Sequence, residues 1–132
     1  MVQQFVPEIL EQGEWSLVFL CGEFSHAVVK SPAAGDFRVQ WQFGGTSRAA
    51  EPGGQIIEAA KRIVDLLAEQ PLYARIDGTQ DESGFVLMEV ELIEPVLFLG
   101  LGGAVAHFAE QVATLPDTRG LLSVQRSAAR II

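Results

Sequence analysis

Apolar residues alternate with polar ones or gather in short runs over four stretches, and each reads as a β-strand. Residues 15–21 and 24–29 are rich in β-branched and aromatic side chains, and the short break at Gly22-Glu23 suits a tight antiparallel hairpin. Residues 72–76 and 85–93 form a second such pair, joined by the polar turn 79–84. Between the hairpins, Ile56, Ala60, Ile63, Val64 and Leu67 recur at helical spacing, which predicts an amphipathic helix over residues 55–69 that ends before Pro71. A further helix is expected over 104–113, after the glycine-rich stretch 100–103. Residues 31–52 are punctuated by Pro32, Gly35, Gly44, Gly45 and Pro52 and read as a long irregular loop, of the kind that forms a lid or binding loop or stays disordered. The expected class is α+β, an antiparallel sheet with packed helices.

The chain opens on a short extended stretch, residues 3–6, halted by Pro7, and a beginning in mid-strand raises the expectation of a piece of a longer protein. At 132 residues the chain suits one domain. A hydrophobic fraction of 48% with 20% charged residues excludes a disordered chain. The net charge of −8 argues against a nucleic-acid partner, and a bound anion would need local cations or a metal. The single cysteine, Cys21, has no intramolecular partner and is expected to be a buried, inert thiol. No apolar run approaches the roughly 20 residues that span a bilayer, and Met1 to Leu10 lacks the basic start of a signal peptide, so the expectation is no membrane and the cytoplasm.

Residues two apart on a strand face the same side. Arg75 therefore projects with Asp77, and Glu89 projects with Glu91, so one hairpin can gather three carboxylates while Ile76, Met88, Val90 and Leu92 face the core. Oxygen-only donors of this kind suit the hard cation Mg2+, which takes one or two carboxylates plus substrate phosphates. The same spacing also describes an ordinary solvated strand face. His26 and His107 have no partner at metal-ligand spacing and are expected to be structural or surface residues. Trp15 and Trp41 suit either a core or a nucleotide cleft.

Across residues 2–113 a series of motifs appears in a fixed order: Gln-Gln-Phe-Val, Gly-Glu-Trp-Ser, Val-Val-Lys-Ser-Pro-Ala-Ala-Gly-Asp-Phe-Arg-Val-Gln, a Gly-Gly pair, a helix, Arg-Ile-Asp-Gly and Leu-Met-Glu-Val-Glu. The set resembles the C-terminal portion of the ATP-grasp ligases of the glutathione synthetase and ribosomal-protein glutamate ligase type. The resemblance implies a partial ATP-grasp domain over 1–113, from the adenine hinge onward, with 114–132 as a C-terminal helix or tail. It implies ATP and Mg2+ or Mn2+ as cofactors, and a small carboxylate joined to an amine or similar nucleophile through an acylphosphate.

Carried over by position, the resemblance puts backbone groups of Gln4 and Val6, in a hinge that begins at Gln3, against adenine. Glu14 falls near the ribose hydroxyls, Lys30 and Arg38 near phosphate or acylphosphate, and Gln40 near the substrate end, where relatives often have Asn. Arg75 would meet the oxygens of the acyl intermediate, and Asp77, Glu89 and Glu91 would hold the metal. Glu91 stands where Asn is common, and with Glu94-Pro95 following it resembles a subgroup that includes the enzyme closing the cycloserine ring. The phosphate loop and second lysine that such ligases carry ahead of the hinge are not in this sequence. Low activity and self-association through an uncovered apolar surface are therefore expected. The competing class is a non-catalytic α+β oligomerisation or binding module, with a nucleotide-free metal protein as a third reading.

Overall fold

The computed structural model describes residues 5–101 and 103–114; Gln3, Gln4 and the tail beyond residue 114 lie outside that range. Five strands form one sheet in the order β3-β2-β1-β4-β5, with every neighbouring pair antiparallel. A short helix α1 (Glu8–Gln12) leads into β1 (Glu14–Leu20) and β2 (Glu23–Ser31). After β3 (Thr46–Ala49) come α2 (Gly54–Asp65), the hairpin β4 (Tyr73–Asp81) and β5 (Gly84–Glu91), and α3 (Ala104–Thr114). The α+β class with an antiparallel sheet is as the sequence predicts. Among the described residues no helix is long and apolar enough to cross a membrane.

Alternation along β1 divides the sheet into two faces. Leu17 and Phe19 pack with Ala27, Ala74 and Ile76 against Ile56, Ala60 and Val64 of α2, while Trp15, Phe24 and Phe85 pack around this core. The opposite face takes Ser16, Asp77 and Arg75, all buried although polar. Each such group must find partners within the fold, since an unsatisfied buried polar group costs about 1–3 kcal/mol. That requirement builds the site described below.

Several local expectations are corrected. The first hairpin turns at Cys21-Gly22 rather than Gly22-Glu23, both with positive φ (49° and 81°), the primed turn whose twist matches two-residue hairpins. Cys21 is accordingly half-buried in a turn. The long loop 31–52 contains a 3-10 turn at Trp41–Phe43 and the edge strand β3, which pairs with β2 from Val28↔Ala49 to Ser31↔Thr46. Every β3 side chain is exposed, so the strand carries no hydrophobic signal and is held by backbone pairing alone. Helix α2 stops at Asp65, four residues early: the Leu66 and Leu67 amides donate to the Ile63 and Val64 carbonyls, tightening the last turn instead of continuing the helical ladder. Trp15 joins the core edge and Trp41 is exposed.

The largest correction concerns β5. A bulge shifts the register from Asp77↔Glu89 to Gly78↔Leu87, leaving Met88 as the extra residue. Bulges re-phase the alternation of side chains. Met88 therefore turns to the Glu14 side of the sheet and not to the core. Val90 and Leu92, also expected inside, are exposed because β5 is an edge strand.

Candidate functional site

The polar face of β1, β2, β4 and β5 holds a connected ionic network. Glu14 opposes Lys30 across the β1–β2 ladder, and their side chains pair. Lys30 Nζ also donates to Asp77 Oδ2 at 3.1 Å. Ser16, opposite Asp77 in the β1–β4 ladder, donates its hydroxyl to Asp77 Oδ1 at 2.8 Å. Arg75, two residues along β4, grips the same carboxylate with Nε to Oδ1 at 2.9 Å and a terminal nitrogen to Oδ2 at 2.9 Å. A planar guanidinium matches a carboxylate in this two-pronged way, which fixes orientation as well as charge.

Beyond Arg75, Glu91 lies against the guanidinium, its Oε2 held by charge without a well-aligned hydrogen bond. Asp77, Glu89 and Glu91 each bring one carboxylate oxygen within 4.8 Å of the others, with Asp77 buried, Glu91 half-buried and Glu89 exposed. Burial works against the Arg75 charge, and the Asp77 hydrogen bonds together with Glu91 and Glu89 outweigh it, so the guanidinium is held more firmly protonated than usual. Burial raises the Glu14 pKa, and the Lys30 charge and hydrogen bond only partly offset it.

Beside this network is an apolar pocket of about 390 Å3, lined by Phe5, Val6, Ile9, Glu14, Phe37, Arg38, Val39, Gln40 and Met88. Glu14 belongs to both: it lines the pocket, and its carboxylate reaches Asp77 through Lys30. Arg38 stands at the pocket with its charge paired to Asp36 and its guanidinium 3.8 Å over the Phe43 ring. The fold thus gathers Glu14, Lys30, Arg75, Asp77, Glu89 and Glu91 in one network and sets Val6, Arg38 and Gln40 on the adjoining pocket. The Val6 carbonyl accepts from Ile9 N at 3.3 Å at the start of α1. Gln3 and Gln4 fall outside the described residues.

Sequence reasoning missed Ser16 and Met88. Ser16 was within reach, because it alternates with Glu14 on the face that carries the carboxylates. Met88 was not, since the bulge that turns it depends on the partner strand.

No family model matches the chain. Over 73 residues it is 33% identical to the glutathione synthetase of Prochlorococcus marinus, a match covering 55% of this chain and 23% of that protein. In fold it is similar to D-cycloserine synthetase DcsG, with a TM-score of 0.69 at 24% identity over 84% of this chain and 40% of that one. The chain is ATP-grasp ligase-like. The D-alanine–D-alanine ligase of Bacillus anthracis, solved in complex with ATP, matches with a TM-score of 0.52 at 15% identity over 77% of this chain and 36% of that one. The chain therefore spans less than half the length of each of these relatives.

Proposed function

We propose that this chain carries one side of the nucleotide and metal site of an ATP-dependent ligase that joins a small carboxylate to an amine or similar nucleophile. The observation that carries the reading is the continuity of two environments: an apolar pocket shares Glu14 with a network ending in three convergent carboxylates. A nucleotide needs that combination, an apolar wall for the base and charge for the phosphates.

In this reading the adenosine enters between Val6, Phe37 and Met88, and the Glu14 carboxylate accepts from the ribose hydroxyls. Asp77, Glu89 and Glu91 would hold Mg2+, or Mn2+ in its place; when bound, the ion neutralises phosphate charge. The donor set fits, being all oxygen and anionic, with its oxygens close enough to converge on one ion. Lys30 and Arg38 supply cations to the phosphates, and Gln40 lies toward the substrate. The substrate carboxylate attacks the γ-phosphorus, ADP leaves, and the nucleophile then displaces phosphate from the acyl carbon as nitrogen loses its proton. Arg75 is assigned to the acyl oxygens, where loss of one charge-stabilising donor costs about 10²–10³ in kcat. The chain by itself has little ligase activity and associates with a second copy through exposed apolar residues such as Ile93 and Val96.

One observation favours the non-catalytic α+β module instead: Ser16, Lys30 and Arg75 already engage both oxygens of Asp77, as a purely structural ion cluster would. Calorimetric titration with ADP separates the two. The ligase reading expects binding that requires Mg2+ and weakens at least about tenfold in Glu89→Ala, the loss of a single metal carboxylate. No heat and no thermal shift with ADP or ATP, or an unchanged Glu89→Ala, overturns it.

A further inference from the structure

A second polar chain runs from α3 across β2 and has no part in the function above. The β1–β2 register passes from Val18↔His26 to Phe19↔Phe24, so Ser25 is the extra residue of a bulge. Phe24 turns into the core edge-on to Phe19, with ring centroids 5.8 Å apart. Ser25 and His26, though consecutive, then reach each other. The directions of the hydrogen bonds follow from the one group that can only accept. His26 Nε2 lies 2.7 Å from the Leu97 carbonyl, so Nε2 carries the hydrogen. Neutral His26 therefore offers a bare Nδ1, 2.9 Å from Ser25 Oγ, and the hydroxyl donates to it. The serine oxygen in turn accepts from His107 Nδ1 at 2.8 Å, and His107 Nε2 is left to accept from the Gln111 amide at 3.4 Å.

The Leu97 carbonyl belongs to residues 95–99, which also meet the ionic site: Arg75 donates to the Val96 carbonyl at 3.3 Å, and its guanidinium lies 6.0 Å from the Phe98 ring centre. Glu94, just before this segment, and Phe98, within it, have positive φ (59° and 52°), which large side chains hold only when the surroundings fix them.

We propose that His26 is a positioning residue for Arg75: with Ser25 and His107 it clamps residues 95–99 over the polar face of the sheet, and the clamp opens when His26 takes up a proton. A protonated His26 presents an N–H at Nδ1, so the Ser25 hydroxyl must turn away and its oxygen accept from both imidazoles; the Leu97 bond is retained, and what loosens the clamp is a charge held in a buried site with no carboxylate among its described hydrogen-bond partners. Burial, chiefly, holds the His26 pKa below its usual value; the Leu97 hydrogen bond opposes this and His107 adds to it. The groups around His26 leave no carboxylate to counter it among its described hydrogen-bond partners. On β1 it faces Val18, beyond which Arg75 is already paired with Asp77 and Glu91. From α3 it faces His107, with Glu110 exposed one turn on, and β3 pairs with β2 only from Val28 to Ser31, its one charged residue, Arg48, standing opposite Val29. Because the folded state disfavours the proton, the clamp's stability is complete above the ordinary imidazole value of about 6.5 and is lost as pH falls through the lower folded value.

Long-range 1H–15N spectra of the full chain test the clamp without any ligand. The expected tautomers at pH 7.5 are Nε2–H for His26 and Nδ1–H for His107, with a His26 midpoint below 6.5 that moves back toward 6.5 in Ser25→Ala. Hydrogen exchange at the Leu101 amide, which donates to the Phe98 carbonyl at 2.9 Å, corrected for intrinsic rates, should rise about fivefold in Ser25→Ala, the loss of one neutral hydrogen bond. The wild type should show the same rise as pH is lowered past the midpoint. His26→Gln keeps a donor for Leu97 but cannot titrate, and should hold the segment equally at pH 7.5 and 5.5. An Nε2–H tautomer at His107, or exchange unaffected by Ser25→Ala, overturns the clamp. The link to Arg75 rests on the ligase reading and is measured apart, as ADP–Mg2+ affinity at the two pH values in wild type and His26→Gln. A drop at pH 5.5 in the wild type alone is expected. Equal affinity at both pH values while the clamp opens overturns the link, and no binding at either overturns the ligase reading with the clamp intact.

Discussion

Asp77 decides the character of the polar face. It is 1% exposed and carries Ser16, Lys30 and Arg75 on its two oxygens, so its charge serves the fold whatever else it serves. Asp77→Asn keeps the shape but takes the shared carboxylate charge from buried Arg75 and half-buried Lys30, leaving them only Glu91 and Glu14. Breaking a buried pair in this way costs about 3–5 kcal/mol, which a denaturant melt should show as a lower midpoint at unchanged slope. Glu89 belongs to the same carboxylate group but is exposed, and Glu89→Ala should leave the midpoint within about 0.5 kcal/mol of wild type. Equal losses in the two variants would contradict this division. The identities of both carboxylates were legible from their period-2 spacing and from motif order. Their unequal burial was not, because it depends on β4 being an inner strand and β5 an edge.

At the scale of elements, two bulges do what alternation cannot. In β2 the extra Ser25 lets consecutive residues 25 and 26 hydrogen-bond to each other, and in β5 the extra Met88 turns to the pocket beside Glu14. The β5 bulge sits opposite Gly78, where a methyl group would meet Phe85 Cζ at 2.5 Å and the Val86 carbonyl at 2.5 Å. The second contact is backbone and cannot swing aside. Gly78→Ala should therefore cost about 1–3 kcal/mol and displace Met88, read as a lower melting midpoint together with changed methyl chemical shifts at Met88. A neutral substitution would mean that the bulge tolerates more room than its contacts allow. The amphipathic period of α2 and the β-branched runs of β1 and β2 made those elements readable, because each buries a face in the core. Strand β3 and helix α1 were not readable: the first is wholly exposed, and the second has five residues and a single buried side chain, Ile9.

For the whole molecule, one core forms between α2 and one sheet face, while large apolar side chains remain exposed, among them Trp41 and Ile93 at 82% each and Val96 at 62%. Apolar surface of this kind favours association. On the proposed reading, size-exclusion chromatography with light scattering should show a mass that rises with concentration, and a monodisperse monomer across the range would refute it. What the sequence determined by itself was local or ordered along the chain: hydrophobic period, turn residues, the succession of motifs and the chemical type of each candidate side chain. From these came the α+β class, the two hairpins and the residues of the ionic network. Tertiary structure alone decided which of those residues meet. The Glu14–Lys30–Asp77 relay, the Arg75 grip and the His26–Ser25–His107 clamp each join residues distant in sequence through strand register. Register is settled by pairing across the sheet, where one inserted residue redirects a side chain, and no local pattern records it.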